Sequence, residues 1–291
     1  MRFAALTLSV LAGAATYLTF AQQPGNESIN GNWSLHLGDT AGKLRLLLER
    51  TSAKHNMAYS RDDVPMSQFA GLTMDQINSA AGSVVHFQIG REAGILECEG
   101  FLKSGGGGGV FHFMANLNYM AAMRSLGYRE LDNEKIFALS LHDVTTAYVR
   151  DMQALGYTSA KYEQLIAMRI HGVSPEFVRD TRALGLRTDS ADQLIAMRIH
   201  GVSPEFVREM KAQGVEDNSI DRLVAMRIHG VSPDFVRQVK SLGFPNVKTD
   251  QLIAMRIHGV TAEFIQKMTS RGMKDLSIDQ LVSLKIHGIA N

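Results

Sequence analysis

Leu194-Ile-Ala-Met-Arg-Ile-His-Gly-Val-Ser-Pro-Glu-Phe-Val-Arg208 decides how this chain folds, because the same residues stand unchanged at 165–179. His-Gly pairs recur at His171, His200, His229, His258 and His287, each 29 residues from the last. One step back lands on His142-Asp143, inside the diverged copy Phe137-Ala-Leu-Ser-Leu-His-Asp-Val144. A half-copy from Asn116 to Gly127 precedes it, keeping the Tyr/Phe and Leu-Gly positions. A fixed period of this length marks stacked repeats, in which each unit buries its apolar face only against its neighbours.

Within one unit, Ser190-Ala-Asp-Gln193 reads as a capping box, and Ser277-Ile-Asp-Gln280 repeats it. The helix that follows, Asp192 to Ile199, is apolar on nearly every side, so burial between neighbours is expected, with Arg198 its main wet position. Gly201 supplies a left-handed stop. Ser203-Pro204-Glu205 then restarts a helix, with a serine cap, proline in the first turn and an acid at the positive end. That second helix carries Phe206, Val207 and Met210 on one stripe and ends at Gly214. Neither helix is long enough to stand alone. The expectation is an α-solenoid of helix-turn-helix units, about five and a half of them, over 115–291. A leucine-rich repeat can share this period, but the Ser-Pro-Glu-Phe helix start and the missing Asn/Leu strand signature argue against it.

Upstream the pattern changes. Short runs at Trp33–Leu37, Lys43–Glu49, Val84–Ile89, Gly94–Phe101 and Gly109–Met114, each bounded by turn residues, predict a small antiparallel β domain over 33–114. Thr73-Met-Asp-Gln76 predicts one helix between Thr73 and Ala80. The fold class is therefore α+β. The glycine run 105–109 lacks the Lys-Ser/Thr of a phosphate loop and reads as a hairpin loop between strands.

Arg2 followed by the apolar run Phe3–Leu18 and the small residues at Thr19 and Ala21 reads as a signal peptide, 1–21, with a Gln/Gly/Asn/Ser-rich disordered lead-in over 22–32. An uncleaved anchor is the competing reading, but the run barely reaches the roughly 20 apolar residues of a span. A periplasmic or secreted location follows, with no membrane span after cleavage. The formal net charge of +1 falls to zero without Arg2, which leaves no basic excess for nucleic acid. Cys98 is the only cysteine, so no internal disulfide forms.

Three sets of repeated or paired polar residues stand out. Glu97 and Glu99, two apart on a strand, share one face and form a conceivable acid/base pair for glycoside chemistry; a solvated strand face is the plainer reading. Cys98 points the other way, toward the core. The five histidines lie too far apart to share a metal, since stacked helices stand about 8 to 10 Å apart and zinc bonds span roughly 2.1 Å. Each is expected to close its helix through a ring N–H. Arg169, Arg198, Arg227, Arg256 and Lys285 sit near the negative ends of their helices and, aligned, make a basic ribbon suited to an acidic or extended partner.

The Trp33 strand, Arg91-Glu92-Ala93-Gly94, Glu99-Gly100-Phe101, the glycine run with Phe111-His-Phe113, and the His-Gly-Val-Ser-Pro-Glu-Phe-Val repeats together have a counterpart. They resemble the extracytoplasmic repeat region appended to bacterial membrane metallopeptidases of the beta-lactam-sensor type, which also occurs in free-standing exported proteins. The resemblance covers most of the mature chain. The sequence contains no His-Glu-x-x-His motif and no bundle of transmembrane segments, so the peptidase activity does not carry over. The expectation is an exported, non-enzymatic interaction, scaffold or sensor module without cofactors, which binds a protein or envelope polymer through its repeat surface. The alternative is an exported hydrolase or carbohydrate-active domain using Glu97 and Glu99.

Overall fold

The computed structural model describes residues 29–51, 56–273 and 275–288; the expected signal segment and the lead-in up to residue 28 lie outside them. Six strands come first: β1 (Ile29–Leu37), β2 (Lys43–Thr51), β3 (Asn56–Pro65), β4 (Ser83–Arg91), β5 (Gly94–Lys103) and β6 (Gly106–Ala115). They form one antiparallel sheet in the order β3-β2-β1-β6-β5-β4, so the first and last strands of the domain pair at its centre. Burial alternates along each strand: Val85, Phe87 and Ile89 of β4 and Leu44, Leu46 and Leu48 of β2 are buried, and their neighbours face outward. One face of the sheet makes the core and the other stays open.

Three differences from the sequence reading have physical causes. β1 starts at Ile29 rather than Trp33: Ile29, 1% exposed, is a core residue, and Gly31 interrupts the alternation that would have announced it. β3, a charged edge strand with Arg61, Asp62 and Asp63 exposed, carries no apolar alternation to read, which is how edge strands resist pairing with other chains. The glycine run is strand rather than loop from Gly106 onward. A methyl on Gly109 would lie 2.0 Å from the Glu99 carbonyl oxygen, and one on Gly100 2.7 Å from Trp33 Cζ2. Glycine here makes a slot for the indole, whose Nε1 donates to the carbonyls of Val110 (3.0 Å) and Glu99 (3.2 Å).

A 3-10 turn (Met66–Gln68) and α1 (Met74–Asn78) connect β3 to β4. The expected capping box is present at Thr73 and Gln76. Twelve further helices follow among the described residues: α2 (Leu117–Ser125), α3 (Asn133–Leu141), α4 (Thr146–Ala154), α5 (Tyr162–Ile170), α6 (Pro175–Ala183), α7 (Ala191–Ile199), α8 (Pro204–Ala212), α9 (Ile220–Ile228), α10 (Pro233–Ser241), α11 (Thr249–Ile257), α12 (Ala262–Ser270) and α13 (Ile278–Ile286). The chain is therefore α+β, with an N-terminal β domain and a repeated helical region. α3, α5, α7, α9, α11 and α13, here called the His helices, pack each on the next; their companions, α2 to α12 in even steps, do the same. Leu194 and Met197 of α7 are completely buried, as are Val207 and Met210 of α8 to within 1%. Serine side chains cap each Pro-Glu/Asp helix as read from sequence: Ser174, Ser203 and Ser232 all accept the phenylalanine amide three residues on.

The sheet and the helices share one continuous apolar core. α3 lies on the buried face of the sheet, where Phe137 packs against Phe111 and Phe113 with ring centroids 5.8 and 5.0 Å away. Glu92, in the β4–β5 turn, accepts from the amide and hydroxyl of Thr146 at the start of α4. Arg50 of β2 pairs with Glu134 of α3. None of the helices among the described residues is long and apolar enough to cross a membrane.

Candidate functional site

The end of each His helix leaves carbonyls without intrahelical partners, and those carbonyls form the most regular feature of the surface. In α7 the helix closes in a Schellman motif: Val202 N–H donates to the Met197 carbonyl (2.8 Å) and Gly201 N–H to the Arg198 carbonyl (3.3 Å). Gly201 sits at φ +68°, in the left-handed region. His200 is the cap residue, and its backbone amide donates to Ala196. The expected ring N–H closure is not what closes the helix: among the described residues the imidazoles of His171, His200, His229 and His258 make no such bond.

The cap carbonyl is taken by the next unit. Arg198 Nε donates to the His171 carbonyl (2.9 Å), and Arg227, Arg256 and Arg169 reach the carbonyls of His200, His229 and His142 in the same way. Each cation also stacks on the aromatic ring of the preceding companion helix: Arg198 on Phe177, Arg227 on Phe206, Arg256 on Phe235 and Lys285 on Phe264, at 4.7 to 5.1 Å. The arginines complement a helix end, but it is the neighbour's rather than their own. Companion helices repeat the device, since Lys211 and Lys240 donate to the carbonyls of Leu184 and Gln213. A methyl on Gly201 would meet Arg227 Nη2 at 2.9 Å, so this glycine provides both the turn and the room for the clamp.

One group at each end stays free. The carbonyls of Ile170, Ile199, Ile228 and Ile257 accept no hydrogen bond within the described residues. Their side chains are bare as well: Ile170, Ile199, Ile228, Ile257 and Ile286 are 52 to 56% exposed. This corrects the expectation that Ile199 is buried. At about 100° per residue, Ile199 lies roughly 200° round the helix from the buried Met197, which is the sequence signal that the count of apolar residues concealed. The result is a ridge of isoleucine, histidine and arginine, repeated along the helix ends.

The first unit departs from this pattern. Leu141, in the isoleucine position, is 8% exposed, and Ser140, in the arginine position, is 1% exposed with its hydroxyl unpartnered. Tyr59 of β3 covers the site. Its hydroxyl donates to the Leu141 carbonyl (2.8 Å) and its ring meets the His142 imidazole edge-on at 5.4 Å. Burial, with Arg61 nearby, lowers the His142 pKa.

The open sheet face is a second candidate. It holds a trough of about 1120 Å³ whose lining includes Asn32, Glu49, His86, Glu97, Glu99 and His112. Glu97 and Glu99 do share this face, and both are exposed. Gln88 Nε2 donates to Glu97 (3.1 Å), and His86 stands 4.0 Å from Glu99 across the β4–β5 pair. Cys98 lies on the opposite face, 3% exposed; burial, and then the Glu97 charge, push its thiol up to about 12, which keeps it protonated and unreactive. The two candidates are separate: the arginine, isoleucine and histidine positions gather at the helix ends, and the two glutamates lie on the sheet. Comparison with known protein families finds no match, and comparison with curated proteins finds no significant similarity.

Proposed function

We propose that the chain is an exported, non-enzymatic interaction module, in which the helices form an α-solenoid and the ridge of His-helix ends holds a protein or envelope polymer. The carrying observation is the isoleucine ridge: five large apolar side chains, each more than half exposed, at the same place in successive units. Arg169, Arg198, Arg227, Arg256 and Lys285 border it and shape it through their clamps on the neighbouring unit. The neighbour-on-neighbour packing of both helix series supports the solenoid. The resemblance to the repeat region of beta-lactam-sensor-type metallopeptidases supports a location outside the cytoplasm.

The test is affinity capture from envelope extract, with the mature protein beside an Ile199→Ser/Ile228→Ser/Ile257→Ser variant. Because these side chains are exposed, the variant keeps its fold, and far-UV circular dichroism checks this. Loss of the captured partner by the variant supports the ridge; equal capture rejects it. A second reading, a hydrolase or carbohydrate-active domain, is favoured by the position of Glu97 and Glu99 in the trough. Glu97→Ala/Glu99→Ala abolishes glycan hydrolysis under that reading and leaves capture unchanged under the first.

A further inference from the structure

The first unit carries, inside the molecule, an occupant for the position that later units leave bare. At the end of α3 every terminal carbonyl is satisfied: Val144 and Asp143 amides donate to Leu139 and Ser140, Arg169 reaches His142, and Tyr59 reaches Leu141. At the ends of α5, α7 and α9 the first three of these bonds are reproduced, and among the described residues only the one that Tyr59 supplies is missing; α11 keeps the two amide bonds, and Lys285 stacks on Phe264 without bonding the His258 carbonyl. The same place loses its apolar cover, since the side chain goes from 8% exposed at Leu141 to more than 50% at each isoleucine. The ridge therefore continues an interface already formed between β3 and α3.

We propose that the ridge receives an extended segment of another protein that presents tyrosine at every third residue, each tyrosine filling the place that Tyr59 fills in the first unit. The proposal rests on the interaction reading above and names its partner. A tyrosine ring covers the isoleucine and meets the imidazole, and its hydroxyl donates to the orphan carbonyl. Neighbouring His helices stand about 8 to 10 Å apart. A polyproline-type segment advances about 9 Å every three residues and turns each third side chain to one face, so its spacing matches the ridge, whereas a flat strand would alternate faces. A second copy of the chain does not supply such a segment. None of the tyrosines among the described residues is exposed, and the hydroxyls of Tyr59, Tyr119, Tyr128, Tyr148 and Tyr157 are already engaged.

The experiment is fluorescence anisotropy with a labelled peptide of Tyr-Pro-Ser triplets, a Phe-Pro-Ser counterpart, and the full chain with or without Ile199→Ser/Ile228→Ser/Ile257→Ser. Binding of the tyrosine peptide, weakened about tenfold both by loss of the hydroxyls and by the serine substitutions, is expected. Failure of the tyrosine peptide to bind, equal binding of the phenylalanine peptide, or equal binding by the variant overturns the proposal. A dimer of the chain alone in sedimentation, abolished by the serine substitutions, also overturns it, because the ridge would then be covered by a second copy. If the peptide fails while the variant still loses its partner from envelope extract, only the tyrosine assignment falls. If the variant keeps that partner, the interaction reading itself falls.

Discussion

Arg198 reaches back one unit to cap α5 and lies on Phe177, so its truncation removes a charged hydrogen bond and a cation–π contact together. Arg198→Ala is expected to lower stability by about 1 to 2 kcal/mol, read from urea unfolding followed by circular dichroism. Gly109→Ala is expected to cost about 3 kcal/mol, because the new methyl collides with backbone rather than with a flexible side chain. Trp33, the one tryptophan, sits in that slot, so its fluorescence reports the loss directly. His142 gives a pH dependence. Its folded pKa lies below the ordinary imidazole value of about 6.5, so on acidification the unfolded chain takes up the proton first. Its contribution is present above that value and is lost as pH falls through the folded pKa. The urea midpoint should therefore drop between about pH 7 and pH 5, and His142→Gln should flatten part of that drop.

At the scale of elements, the junction between sheet and helices rests on side chains that join a strand or turn to a helix end. Glu92 in the β4–β5 turn caps α4 through two bonds to Thr146, and Glu92→Ala is expected to cost about 1 to 2 kcal/mol in urea unfolding. Much of this level was legible in advance. The capping boxes at Thr73 and Ser277, the Ser-Pro-Glu starts and the left-handed glycines are local chemistry, decided within a turn of chain, and the structure has them where the residues put them; at Ser190 only the serine half of the box forms, and Gln193 accepts from the Asp189 amide instead. β3 was not legible, because an edge strand is specified by its partner β2 and by the need to deter further pairing, neither of which leaves an apolar rhythm. The bare isoleucines were not recognised either, since apolar content alone does not tell a buried position from a ridge.

On the scale of the whole molecule, stability passes from unit to unit through nearest-neighbour contacts. Removing one full period, residues 191–219, joins Ser190 to Ile220-Asp221 and preserves a helix start. Such a protein is expected to keep its helicity per residue and a cooperative transition by circular dichroism. Removing half a period, which leaves one helix series without its companion, should abolish cooperativity. The same logic explains the first unit, where the sheet replaces the missing neighbour and the ladder position shrinks from arginine to Ser140.

The sequence by itself determined the period, the two helices of each unit, their caps and stops, and the alternation of five of the six strands, because each depends on interactions within a few residues. Tertiary structure alone decided what the repeated polar residues do. The arginines clamp the preceding unit, the histidines are cap residues through their backbone, and Glu97 and Glu99 line an open trough. Each of these outcomes depends on what lies across a packed interface, and a carbonyl 27 residues away cannot be read from the residues beside an arginine.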